Sequence, residues 1–294
     1  SKAGNLDKVK ELLEHRASTE AVDWLGSTAL ISASTGGHLD VVKTLLENKA
    51  NLENKSIDGY TALIWASRSG NLDIVKTLLE HKANIEATDK YGSTALMEAS
   101  WNGKLDVVKT LIEHKANLEA IGNTALIWAS RNGNLDIVKT LLEHKATIES
   151  ADKYGNTALI MASARGNLDA VKMLLEQKAI IEATDNYGYT ALISASWNGK
   201  LDVVKTLLEH KANLEATSRN GHTALILTSG RGHLDIVKTL LEHEATIEAT
   251  GEHGNTALME ASRYGKLNVV KTLLEHKANI QATNRNGDTA LMKA

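Results

Sequence analysis

The chain has 294 residues, is 43% hydrophobic and 23% charged, and carries a net charge of −3. That balance argues against a nucleic-acid groove, which needs a basic stripe to displace counterions, and no apolar run approaches the ~18 residues that a membrane span requires. The absence of cysteine excludes a disulfide framework and thiolate zinc sites and fits a cytoplasmic protein.

A Thr-Ala-Leu triplet begins at Thr28, Thr61, Thr94, Thr124, Thr157, Thr190, Thr223, Thr256 and Thr289. Every interval is 33 residues except the step from Thr94 to Thr124, which is 30. A fixed period in this range signals a stacked array in which each unit buries its apolar face against its neighbours. Residues 1–294 therefore read as a single array. It opens with a partial unit over residues 1–21. Units then begin near 22, 55, 88, 121, 151, 184, 217 and 250, and a partial unit spans 283–294.

In the opening unit Lys8, Glu11 and Thr19 replace the Val41, Thr44 and Leu52 of the next copy. These are polar swaps suited to a terminal cap. Within a full unit, a first helix of about nine residues is expected from the Thr of Thr-Ala-Leu, which can cap it, to the following Gly, such as Gly37 or Gly70. Its inner residues are small, as in Ala62, Ala66 and Ser67. A second helix starts at Leu-Asp, with Leu72, Val75, Leu78 and Leu79 as its apolar stripe and Asp73 at the favourable end of the dipole. It stops near His81-Lys82-Ala83. The Asp89-Lys90-Tyr91-Gly92 stretch then suits a tight reversal, giving a hairpin-like finger between units. The 30-residue step shortens one finger, around Ala120 to Gly122. The last unit stops midway through its first helix, as expected for a piece of a longer array.

Gly-x-Thr-x-Leu, Ala-Ser, Gly-x-Leu-Asp-Ile/Val-Val-Lys and Leu-Leu-Glu, repeated every 33 residues, resemble the ankyrin repeat. Residues 122–154 carry the pattern well, through Gly122, Thr124, Leu126, Ala129, Gly133, Leu135, Ile137, Val138, Leu141, Leu142 and Ala146. The resemblance implies an all-α solenoid of helix–turn–helix units with hairpin-like fingers, and partner binding along a concave face. Three departures stand out. The family's Thr-Pro-Leu-His is Thr-Ala-Leu-Ile or Thr-Ala-Leu-Met, so apolar packing must replace a polar network. The proline is gone with its preset φ. The glycine that closes the second helix is Lys49, Lys82, Lys115, Lys145, Lys178, Lys211 or Lys277, with Glu244 in one unit; a positive φ there would cost each roughly 1 kcal/mol relative to glycine.

Differences between copies mark the candidate site. Every aromatic falls at one of six positions around the triplet. Trp24, Tyr60, Tyr91, Tyr154, Tyr187 and Tyr189 lie on fingers. Trp65, Trp101, Trp128, Trp197 and Tyr264 lie on first helices. Arg68, Arg131, Arg165, Arg231 and Arg263 share the first-helix positions, and Glu98 joins them. The resemblance implies that these positions line the concave face. Trp, Tyr and Arg are the types enriched in binding hot spots. Trp65 and Trp128 could alternatively plug gaps between helices; the other nine aromatics sit at positions that the pattern leaves exposed. Trp65, Arg68, Trp101, Trp128 and Arg131 span three successive units, a patch roughly 20–30 Å long at helix spacings of about 8–10 Å.

The column His15, His81, His114, His144, His210, His243 and His276 invites a metal reading, but rungs about 8–10 Å apart cannot share an ion bound at about 2 Å. Ser, Thr, Asp and Glu recur once per unit as architecture, so no catalytic residue, cofactor or metal ligand is assigned. The expectation is a non-catalytic scaffold for a protein or peptide, with no nucleic acid. A spacer array, or the targeting part of a larger enzyme, is the alternative. A monomer is expected, with head-to-tail association as the other option, because TALMKA followed by SKAGNLD continues the repeat.

Overall fold

The structure, a computed structural model, describes residues 4–119 and 124–294. The shortened finger at Ala120 to Gly122 lies outside the described residues, as do the first three residues of the opening unit. The described residues form eighteen helices and no strand, and they divide into two compact units, Ser1–Thr147 and Ile148–Ala294.

The first unit contains α1 (Leu6–Glu14), α2 (Ala29–Gly36), α3 (Leu39–Glu47), α4 (Ala62–Ser69), α5 (Leu72–Glu80), α6 (Ala95–Trp101), α7 (Leu105–Glu113), α8 (Ala125–Asn132) and α9 (Leu135–Glu143). The second contains α10 (Ala158–Arg165), α11 (Leu168–Glu176), α12 (Ala191–Trp197), α13 (Leu201–Glu209), α14 (Ala224–Arg231), α15 (Leu234–Glu242), α16 (Ala257–Arg263), α17 (Leu267–Glu275) and α18 (Ala290–Lys293). Within each unit, each first helix packs on its own second helix and on the next first helix, while second helices touch each other more sparsely. Side-chain size explains the difference. Ala66, Ala99, Ala162 and Ala195 are fully buried and let the first helices approach closely.

The threonines cap as their type predicts. From Thr28 to Thr256, each hydroxyl accepts the backbone N–H three residues on, at 3.2–3.4 Å. The Thr is therefore the cap and not the first helical residue, and the full first helices are seven or eight residues long, shorter than expected. Gly37, Gly70, Gly133, Gly166 and Gly232 end five of them in the left-handed conformation. Where Pro and His are missing, apolar side chains fill the space: Ile64, Met97, Ile127, Ile193 and Ile226 are no more than 2% exposed.

On the second helices the buried arc is rotated from the expected stripe. Ile74, Val75, Thr77 and Leu78 are buried in α5, whereas Leu72 and Leu79 are only half-buried. The helix is wedged against both its own first helix and the adjacent second helices, which shifts the buried arc toward Ile74 and Thr77. Thr77 is compatible with burial because its hydroxyl donates to Asp73 O at 2.8 Å. The helix then closes as expected: His81 is the C-cap, and its Nδ1 donates to Thr77 O at 2.9 Å. The lysine column takes positive φ throughout, between 61° and 64°, with Glu244 at 66°. Arg16, at 62°, proves to be the same position in the opening unit.

Two ladders join successive repeats inside each unit. At the fingers, Ile57 N donates to Leu25 O (2.9 Å) and Lys90 N to Asp58 O (3.1 Å) in the first unit. In the second, Asn186, Arg219, Glu252 and Arg285 donate in the same way to Tyr154, Tyr187, Asn220 and His253, at 2.7–3.0 Å. The finger at Asp89–Gly92 turns as expected: the Asp89 carboxylate accepts Tyr91 N and Ser93 N, both at 2.8 Å. Glycine is required beside it for two reasons. Gly59 and Gly188 have φ of 84° and 78°, and a Cβ on either would lie 2.6–2.7 Å from the next finger's amide nitrogen. The second ladder is made by the glutamates after each second helix. Glu53, Glu86 and Glu119 in the first unit, and Glu149, Glu182, Glu215 and Glu248 in the second, each accept a backbone N–H of the following repeat at 2.6–2.8 Å.

Candidate functional site

The fingers and first helices bring the variable residues together on one face of each unit. In the first unit, Tyr60 and Trp65 pack at a tilt, 4.8 Å between centroids. Arg68 lies over both rings at 5.8 and 5.5 Å. Its guanidinium donates to Tyr60 Oη and pairs with Glu98 Oε2, each at 3.2 Å. Asn102, on the turn after α6, donates to Glu98 O at 2.8 Å.

Glu98 is only 9% exposed. Burial holds its carboxyl above the usual carboxylate range, against the pull of Arg68. Burial also raises the Tyr60 hydroxyl, helped by the Glu98 charge and opposed by Arg68. A second group adjoins on α6 and α8: Trp101 and Trp128 meet edge to face at 4.4 Å, and Arg131 lies over both rings at 5.1 and 5.3 Å. The five residues expected as one patch thus fall into two Arg–aromatic groups. Trp24 and Tyr91 stand apart on the fingers, both strongly exposed, with Lys90 over the Tyr91 ring.

One expectation is corrected. The aromatics other than Trp65 and Trp128 are not uniformly exposed. Trp24, Tyr91, Tyr154, Tyr187 and Tyr264 are, but Trp101, Tyr189 and Trp197 are half-buried and Tyr60 is 8% exposed. Tyr60 sits immediately before the capping Thr, where the chain enters the first helix and the side chain folds over Trp65. The sequence carried that signal, because the same position holds the small polar Ser93 and Asn255, both also buried.

In the second unit, Tyr187, Tyr189 and Trp197 run in series, with centroids 6.4 and 6.5 Å apart. Arg231 lies over Trp197, its Cζ 3.7 Å from the ring centroid. Burial, with nearby Asp185, raises the Tyr189 hydroxyl, opposed by Arg231. Arg263 lies 5.3 Å from the Tyr264 ring centre. Between these two groups is a cleft of about 590 Å³. It is also lined by Asn220, His222, Gly230, His253, Asn255 and Lys266, which the sequence reading did not single out. One signal was available: Gly230 stands in the column that holds Arg68, Trp101, Arg131, Trp197 and Arg263. Tyr154 and Arg165 are exposed and lie outside the cleft lining.

Among the described residues no group of three or more His, Asp or Glu could hold a metal ion. None of the described helices is long and apolar enough to cross a membrane. The histidine column is occupied by its own helix ends.

Capped helix pairs, interlocked fingers and a variable face define a stacked-repeat protein of the helix–turn–helix type. The chain belongs to the ankyrin repeat family: the family described as Ankyrin repeats (3 copies) matches at residues 1–89, 83–152, 147–218, 211–284 and 254–294. Such repeats are generally protein–protein interaction modules, typically without catalysis. No curated protein matches the chain.

Proposed function

We propose that the chain is a non-catalytic scaffold that binds a protein or peptide along the face built by its fingers and first helices, with Trp65, Arg68, Trp101, Trp128 and Arg131 as the affinity centre. One observation carries the reading. All eleven Trp and Tyr residues lie on fingers and first helices, and four arginines lie over them, while the buried apolar side chains of the described residues are, Tyr60 apart, non-aromatic. Aromatic rings with stacked guanidinium groups offer apolar area at low entropic cost, with in-plane donors for carboxylates and carbonyls. A spacer needs only the stacked core and has no use for this segregation.

The test is a peptide-display selection on the whole chain, followed by titration of the selected peptides. Trp101→Ala with Trp128→Ala, and separately Arg131→Ala, should each weaken binding at least tenfold while helical content is unchanged. Unchanged affinity in folded variants would sink the proposal. The Arg131 variant guards against loss of fold, because it leaves the edge-to-face pair in place.

A further inference from the structure

The cleft of the second unit has a shape and a charge that the repeat pattern alone does not give. Its walls are Trp197 and Tyr189 on one side and Tyr264 on the other, with Ile226 and Leu227 between them. The space exists because residue 230 is glycine. The equivalent residue one repeat earlier is Trp197, and one repeat later it is Arg263. A Cβ at Gly230 would make ordinary contacts of 3.4–3.6 Å with Tyr264 and Glu260, so the backbone accepts a side chain and the sequence omits one. About 590 Å³ is within the usual size range of a ligand site, roughly 300–1,000 Å³.

The charges are asymmetric. Arg231, Arg263 and Lys266 line the cleft against one carboxylate, Glu260. Glu260 is already engaged, since Asn255 Nδ2 donates to its Oε1 at 2.7 Å and Asn284 in turn donates to Asn255 Oδ1 at 2.8 Å. The contact with Trp197, 3.7 Å from Cζ to the ring centroid, positions the Arg231 guanidinium, and a guanidinium held over a ring keeps its in-plane N–H donors for a partner.

We infer that this cleft is a second docking site, separate from the Trp101–Trp128 group, and that it takes an acidic peptide segment. One apolar side chain of the segment fills the space left by Gly230, and flanking carboxylates pair with Arg231 and Arg263. An extended peptide repeats its side chains on one face about every 6.6 Å. Acidic residues two apart on that face therefore lie within side-chain reach of arginines borne on first helices packed about 8–10 Å apart.

The probe is an array of short peptides, each with one central leucine flanked by acidic, neutral or basic residues, presented to the full chain. The acidic series should bind best, and the binding should weaken as salt rises. Gly230→Trp should abolish it; the helix accepts tryptophan at that position in Trp101 and Trp197. Arg231→Glu with Arg263→Glu should reverse the preference toward the basic series. Trp101→Ala with Trp128→Ala should leave the acidic series bound, so the outcome is independent of the affinity centre proposed for the first unit. The inference is overturned if the three series bind alike, if Gly230→Trp retains acidic binding, or if inorganic phosphate alone competes fully at equal concentration.

Discussion

Replacing Lys82 by glycine should stabilise the protein, although it removes a side chain. Lys82 has a φ of 64°. Its N–H donates to Leu79 O at 2.9 Å while Ala83 N donates to Leu78 O at 3.0 Å, the paired bonds of a helix end closed by a left-handed residue. A residue with a Cβ is strained there by about 1–2 kcal/mol, and the greater freedom of glycine in the unfolded chain takes back about 0.5–1 kcal/mol. The Lys82 side chain is exposed and makes no buried contact that would be lost. The net expectation is about 0.5–1 kcal/mol for one site and about 1.5–3 kcal/mol for Lys49, Lys82 and Lys115 together, as sites one repeat apart add approximately. Urea unfolding followed by far-ultraviolet circular dichroism measures this as a higher midpoint at unchanged slope. A midpoint that stays or falls would refute the reasoning, by showing that the lysine stems recover the strain through cover of the helix end.

Other perturbations test other parts of the structure. The hydroxyls of Ser67, Ser163 and Ser196 are buried without a hydrogen-bond partner among the described residues, so each Ser→Ala change should raise unfolding free energy by about 1 kcal/mol; a loss on denaturant titration would contradict this. Glu98 titrates above its unfolded value, so the folded state binds more protons than the unfolded state between the two pKa values, and stability declines as pH rises through that window. Glu98→Gln should remove that decline, gaining on the parent protein from about pH 4 upward and levelling off above the folded pKa; parallel pH–stability profiles would rule it out. Glu248→Ala removes the acceptor of Asn279 N, now 2.7 Å away. Exchange of that amide should speed up roughly five- to tenfold, the equivalent of about 1–1.4 kcal/mol of local protection, and an unchanged rate would dismiss the ladder.

The architecture was legible because the period repeats its own evidence. Eight threonines in one column marked the caps, and eight Lys or Glu residues in the family's glycine position raised the question of left-handed turns, which the structure contains. What the sequence hid was direction. A helical stripe specifies an arc only to within about one residue, which is why Ile74 and Thr77, and not Leu72 and Leu79, proved to be buried beside Val75 and Leu78. The glutamate ladder was visible as recurrence, but a recurring carboxylate does not name its partner, and its acceptor role depends on a backbone amide 31 residues away. Tyr60 and the cleft share one cause of obscurity. Both depend on how side chains of successive repeats overlap, which a column-by-column reading treats as independent. Gly230 was readable as an anomaly, but the cleft that it leaves open became visible only with Trp197, Arg263 and Tyr264 placed around it.

The segregation of aromatic residues has an optical consequence. Tryptophan emission in this protein reports on the variable face, while the helix signal in circular dichroism reports on the stack, so the two follow different parts of the molecule. Four tryptophans, Trp24, Trp65, Trp101 and Trp128, belong to the first unit, and Trp197 is the single one in the second. Trp197 also forms a wall of the cleft, with a guanidinium 3.7 Å from its centroid. With the first four replaced by phenylalanine or leucine, the protein becomes a one-tryptophan sensor whose emission registers any molecule that displaces Arg231 or dries the indole.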